Sequence, residues 1–300
     1  MASGDRIRLP GVGSVSFAAL ARIFRHWPDA PGGCFDGQCD HCAVETITEL
    51  ERMAAAHWRG TEEERLGEWL LRAAEGFTGR ANSALPLGDP GLPLGEALDA
   101  VTRWYRQRGL PPTIVVHRPL DADPGDQALD RQLTERDWLT RPGPAFVMLA
   151  ELPLAASSNA ERQGQPDGGA ILAAGEPDAA WAAMYHYRGQ EHLPPVARKV
   201  LTSAEEQSFV SIRSGDEVLA IARLSMAAGW AGLAAVEVSP AHRRRGLGVA
   251  ITAAACDEAA RRGLTRVFLQ VEVDNAPARA LYERLGFRYS HRYHYRIAPA

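Results

Sequence analysis

Between Val236 and Ile251 the chain reads VEVSPAHRRRGLGVAI, and few folds accommodate that order of residues. An apolar, β-branched run ends at Ser239-Pro240, and three arginines and Gly246-Leu247-Gly248 follow. Apolar residues then recur at Leu247, Ala250, Ile251, Ala254, Ala255 and Ala259, which is helical spacing. A strand therefore enters a basic loop that opens directly into a helix. A helix start leaves backbone N–H groups unpaired and carries partial positive charge. Two glycines admit close backbone approach and arginines add forked donors, so the segment suits a pyrophosphate. It is neither the dinucleotide nor the Walker fingerprint, because no Lys-Ser/Thr follows and the basic residues precede the glycines. A tight turn carrying a solvated basic patch is the plain alternative.

The flanking sequence extends the pattern. Glu217 to Met226 and Leu233 to Val238 read as strands separated by Gly229-Trp230. Gly263 stands where the helix must stop, and Val267 to Val273 alternates with period two. Asn275 is placed to cap a short helix with Pro277 in its first turn and Gly286 at its end; Phe287 to Ile297 is again strand-like. The result is β-β-α-β-α-β, an α/β (α+β) arrangement with a mixed central sheet flanked by helices. Asp178 to Arg188 and Ala204-Glu205-Glu206 are expected to supply the helical material before it, after a polar linker at 157–169.

R-x-x-G-x-G after a strand ending V-x-P resembles the acetyl-CoA motif of the GNAT superfamily. The second motif agrees: Asn275-Ala276-Pro277-Ala278-Arg279-Ala280-Leu281-Tyr282-Glu283-Arg284-Leu285-Gly286-Phe287 is similar to the family's N-x-x-A-x-x-x-Y-x-x-x-G-F signature. The resemblance covers residues 205 to 297 and implies an acetyl-CoA-dependent N-acetyltransferase. By that resemblance the backbone of Val236, Glu237 and Val238 bonds the pantetheine arm. Arg243, Arg244, Arg245, Gly246, Leu247, Gly248 and Val249 cradle the pyrophosphate, Asn275 contacts the coenzyme near its reacting end, and Tyr282 protonates the departing thiolate. A phenol is a reasonable donor to a thiolate, and Asn275 and Tyr282 are two helical turns apart on one face. Glu237 is a candidate general base for the acceptor amine, against the alternative of an exposed or acceptor-binding carboxylate. A ring that simply packs and bonds through its hydroxyl is the lesser alternative for Tyr282, and Gly286-Phe287 is a helix stop and core aromatic.

The first half repeats the plan. Trp104 to Leu110 followed by Thr113 to Val116 parallels Ala260 to Leu264 followed by Val267 to Gln270, and Leu129 to Trp138 parallels Ala280 to Phe287. It lacks the chemistry: Ala84 to Gly95 has no R-x-x-G-x-G, and an apolar residue near Leu133 stands in for Tyr282. The division expected is an extension over 1–42, a degenerate GNAT-like lobe over 43–156 and a catalytic domain over 170–300. Glu45 to Leu87, with GEWLLRAAEGFTGRANSALPL, also resembles two-lobed actinobacterial GNAT proteins of the N-acetylglutamate synthase-like and mycothiol synthase-like kinds. Trp58, Trp69 and Trp104 are expected in the lobe's core.

Cys34, Cys39 and Cys42 have spacing that suits zinc, but no second C-x-x-C completes a four-thiolate site, and ordinary thiols are the favoured reading. Cys256 falls on the helix after the phosphate loop as a small core residue. A net charge of -4 gives no general pull toward nucleic acid, and no run of eighteen apolar residues suggests a membrane span. The expectation is a cytoplasmic monomer or homodimer that needs no metal. Its expected partners are acetyl-CoA and a small primary amine, for which an amino acid such as glutamate is a candidate. Peptide or protein amines, and a non-catalytic acetyl-CoA-binding module, are the alternatives.

Overall fold

The computed structural model describes residues 6–9, 12–16, 46–122, 127–154, 169–186 and 192–299. Two compact units span Met1–Val44 and Glu45–Ala300. In the first, β1 (Arg6–Leu9) and β2 (Val12–Ser16) form an antiparallel hairpin. Cys34, Cys39 and Cys42 lie outside the described residues.

The second unit begins with α1 (Ile47–Ala55), opened by a reciprocal capping box between Thr46 and Glu49. The hairpin β3 (Glu62–Leu66) and β4 (Trp69–Ala73) follows, then α2 (Leu94–Arg106), β5 (Thr113–Arg118), α3 (Ala128–Glu135), β6 (Leu139–Thr140) and β7 (Ala145–Glu151). Beyond residue 169 come β8 (Ala170–Ala174), α4 (Ala179–Met184), α5 (Pro195–Leu201), β9 (Glu206–Ser214), β10 (Glu217–Ala227) and β11 (Trp230–Val238). The chain ends with α6 (Leu247–Arg261), β12 (Arg266–Glu272), α7 (Ala276–Arg284) and β13 (Arg288–Ile297). The motifs fall on these elements as expected, with Asn275 capping α7 by accepting from the Ala278 N–H. One expectation is corrected. Ala204 to Glu206 is not helical: α5 ends at Leu201, and β9 starts at Glu206 because its edge pairs along β10 from Met226 to Glu217.

Nine strands form one sheet among the described residues, in the order β5-β13-β7-β12-β11-β10-β9-β8, with β6 beside β13. Its central feature is an exchange. β7, from the first half, lies between β12 and β13, while β13 lies between β7 and β5. Ala150 stands opposite Val267 and Ile297 opposite Thr113, so the two halves make equivalent pairings. At the centre Arg292 faces Phe146 and Tyr293 faces Ala145, as a two-fold relation between the halves requires. The expected lobe and catalytic domain thus contribute to a single sheet, each lending its last strand to the other.

Both sheet faces are covered. On one side Leu247, Ile251, Ala255 and Ala259 of α6, spaced one turn apart, pack with Ile212, Leu219, Leu269 and Met148. Cys256 is fully buried in this cluster, and burial pushes its thiol up to about 12, as befits an inert core residue. On other parts of the sheet Trp58 packs with Trp181, Phe77 and Phe209, while Trp69 and Trp104 pack with Leu98, Val101 and Ile114.

His57, just after α1, ties that helix to the sheet. Its ring nitrogens meet Ser225 Oγ at 3.0 Å and the Ala227 carbonyl at 3.1 Å, and its edge meets Phe268. Burial, then the charge of Arg223, lower its pKa to about 4. The unfolded chain, with an ordinary histidine, binds the extra proton between pH 6.5 and 4, so folded stability must fall with pH across that window. The loss is on the order of 3 kcal/mol at its fullest. His57→Gln should flatten the slope of urea-unfolding free energy between pH 7 and 5; an unchanged slope would assign it elsewhere.

The exchange gives a second prediction. Residues 170–300 expressed alone lack the strand between β12 and β13 and should show no cooperative melting. Mixing with 45–154 should yield a co-eluting complex with one thermal transition. A cooperative transition from 170–300 alone would show that the exchanged strand is dispensable.

Candidate active site

β11 and β12 run parallel but pair only from Ala231–Leu233 to Val267–Leu269. Beyond Leu233 they separate. A bulge drives the separation: Ile221 faces Glu237 while Arg223 faces Ala234, so β11 carries an extra residue, and Ala235 sits at φ 52°. Glu237 and Val238 keep their pairing to β10 on one side, and Val236 lies in the bulge. On the other, β12 no longer takes up their backbone, which leaves an edge inside the sheet that an extended molecule can join.

The strand ends at Val238, a single turn at Pro240–His242 follows, and Arg243 to Gly246 wrap to the start of α6. Arg244 at φ 66° and Gly246 at φ 81° are both left-handed. No side chain caps α6, and the first intrahelical bond is Ala250 N–H to the Gly246 carbonyl. The amides of Leu247, Gly248 and Val249 thus form the helix start. Arg243, Arg244 and Arg245 are exposed, with Arg243 Nε donating to the Val238 carbonyl at 3.4 Å. Leu247 is buried, and Val249 packs at the edge of the core. A Cβ on Gly248 would come within 2.7 Å of Leu281 on α7, so this glycine lets the two helices approach.

Asn275 and Tyr282 occupy opposite ends of α7 but differ in setting: Asn275 is exposed and engaged as the cap, while Tyr282 is buried. The Tyr282 ring stands edge-on to Phe287 with centroids 5.7 Å apart. Burial, with a smaller contribution from Cys256, raises its phenol pKa well above 10, so the hydroxyl keeps its proton.

Glu237 lines a cleft of about 400 Å³ together with Val236, Gln270, Glu272, Tyr185, His186, Tyr293, Tyr295 and the segment Thr78–Arg80. Its two carboxylate oxygens accept from the His186 backbone N–H and meet His186 Nδ1, both at 3.0 Å. His186 is a residue the sequence motifs do not reveal, because it lies fifty-one positions from Glu237 and only the fold joins them. The cleft walls from the first half, Thr78 to Arg80 and Ala145, and the β13 tyrosines are likewise invisible to motif reading. Beneath the cleft, Glu51 is buried between His117 Nε2 at 2.9 Å and His291 Nε2 at 2.8 Å. Burial alone would raise the Glu51 pKa, but the two histidines outweigh it and hold the carboxyl well below its ordinary value.

A strand pair splayed by a bulge, followed by a basic loop and an uncapped helix start, defines the GNAT class of acyltransferase. The solved GCN5-related N-acetyltransferase from Kribbella flavida has this fold: 80% of this chain overlies 90% of that one at a TM-score of 0.56 and 21% identity. The chain belongs to the family described as "Probable histone acetyltransferase Rv0428c C-terminal", whose model matches residues 45–296. It is 32% identical over 263 residues to the Mycobacterium tuberculosis protein named "Probable histone acetyltransferase Rv0428c", spanning 85% of this chain and 74% of that one. It is also 27% identical over 267 residues to "Uncharacterized N-acetyltransferase YobR" of Bacillus subtilis, spanning 85% and 99% of the two chains. The protein is an N-acetyltransferase. GNAT proteins in general use acetyl-CoA.

A Cβ at Gly246 would point into open space, so Gly246→Val should fold, at a cost of roughly 1–2 kcal/mol for the left-handed backbone. It should weaken acetyl-CoA binding at least about tenfold by distorting the helix start. Calorimetric titration checks this; unchanged affinity would remove the turn from the coenzyme site.

Proposed function

We propose that the protein transfers an acetyl group from acetyl-CoA to the primary amine of a small molecule, by direct attack on the thioester. The observation that carries this reading is the open edge at Val236–Val238, continuous with the uncapped start of α6. The pantetheine arm adds to β11 as a strand, while Arg243 to Arg245 and the amides around Gly246 to Val249 take the pyrophosphate. Asn275, capping α7, borders the reacting end. No metal takes part.

The amine must be neutral to attack. Glu237 receives its proton, directly or through His186: with Nδ1–H donating to the carboxylate, His186 Nε2 becomes the acceptor facing the cleft. The amine nitrogen then bonds the thioester carbon, and collapse of the tetrahedral adduct breaks the carbon–sulfur bond. The departing thiolate takes a proton from the Tyr282 hydroxyl. The products are an acetamide and free coenzyme thiol.

We place this activity in the cytoplasm, in a monomer or homodimer, with neither nucleic acid nor membrane as partner. Among the described residues no helix is long and apolar enough to cross a membrane. Amino acids, glutamate among them, are the favoured acceptors. Protein amines are the second reading, and the name of the mycobacterial relative favours it.

Tyr282→Phe should lower kcat about 10–100-fold with acetyl-CoA affinity nearly unchanged. Glu237→Gln and His186→Asn should each reduce kcat/KM, and the double variant should be no worse than the poorer single one, because the two act as a unit. Thiol release over a panel of amines reads these outcomes. Strictly additive losses would separate His186 from the base.

A further inference from the structure

The segment Ala74–Asn82 packs Ala74, Phe77 and Ala81 into the core and carries an unusual backbone between them. Glu75, Gly76 and Thr78 all have positive φ, at 50°, 81° and 63°. The Asn82 side chain holds the loop from within: its oxygen accepts from the Ala74 and Gly76 N–H groups, and its nitrogen donates to the Phe77 and Thr78 carbonyls. Thr78 Oγ1 accepts from Trp58 Nε1 at 2.9 Å. Strained backbone kept by such a knot marks a place where a side chain must be presented in one position.

That side chain is Arg80. It borders both the cleft and a smaller polar cavity behind it, which share Arg80, Gln270, Tyr293 and Tyr295. Its guanidinium lies 4.3 Å from the centre of the Trp58 ring. Among the described residues it makes no hydrogen bond or ion pair. Glu51, the carboxylate in the smaller cavity, is engaged by His117 and His291. The fully buried Arg223 lies over the same indole at 5.0 Å, donating only to the Leu201 and His57 carbonyls. Arg141 lies over Tyr295. Arg80, Arg141 and Arg223 thus gather at this corner with no carboxylate bonded to any of them among the described residues, and burial together with Arg80 lowers Arg223 to about 9. An anion arriving beside Arg80 would relieve that repulsion and find a planar two-donor fork already stacked in place.

Glu237 lines the same cleft, and its carboxylate suits an ammonium. We infer that Arg80 binds a carboxylate of the acceptor, and that the acceptor class is amino carboxylates, the amine lying toward Glu237 and the carboxylate toward Trp58. This rests on the acetyltransferase reading and narrows it: an amine on a protein side chain brings no free α-carboxylate with it.

The test uses the full chain with acetyl-CoA and a panel of amino acids, each paired with its carboxamide. The wild type should prefer the acids at least ~30-fold in kcat/KM, mainly through KM. In Arg80→Gln the acid-to-amide ratio should fall to near one, and Arg80→Lys should recover part of it. Calorimetry with CoA-saturated protein reads the same preference without turnover. Equal use of acids and amides by the wild type, or an acid-to-amide ratio that survives Arg80→Gln, would overturn the assignment while leaving the acetyltransferase reading intact. Failure of the wild type to bind acetyl-CoA would overturn both.

Discussion

The structure depends on one set of backbone hydrogen bonds: the antiparallel ladders that seat β7 between β12 and β13. In an antiparallel sheet every strand needs a partner on each edge or must expose unpaired amides and carbonyls. β12 has β11 on one side only as far as Leu269 and β7 along its full length on the other, from Arg266 to Glu272. The strand that leaves β11 at the splay is thus fixed by a segment from the first half. The opening where the coenzyme is proposed to enter is held apart by that half.

The same ladder explains why the cleft beside Glu237 draws on both halves. Ala145 opens β7 and stands opposite Tyr293, and Tyr293 donates to Gln270 on β12 at 3.0 Å. The chemistry-bearing strand β11 forms one wall, and Thr78 to Arg80 another. On the proposed reading, donor and acceptor functions are divided: the motifs of the second half take the coenzyme, and the first half shapes what can approach it.

Much of the second half is legible in the sequence because its signals are local. Asn275 announces a cap, Pro277 a first turn, and Leu247 to Ala259 a buried helical stripe; each is realised within one element. Glu206 misleads because helix-favouring residues there are overridden by pairing to Met226, twenty residues away. His186 with Glu237, the bulge at Ala235 and the position of β7 depend on strand neighbours distant in sequence, which no periodicity encodes. Similar spacing in the two halves is visible, but that their last strands change places is a choice between pairings of equal local quality.

The knot around Asn82 has a consequence for how such proteins diverge. The backbone of Ala74–Asn82 is fixed by an amide that bonds only main-chain groups of the loop and does not line the cleft, so the conformation of the loop does not depend on the side chain it displays. Position 80 behaves like an interchangeable bit in a rigid socket. A lineage can retool the charge or length offered there in a single step, with the walls, the thioester site and the fold left standing.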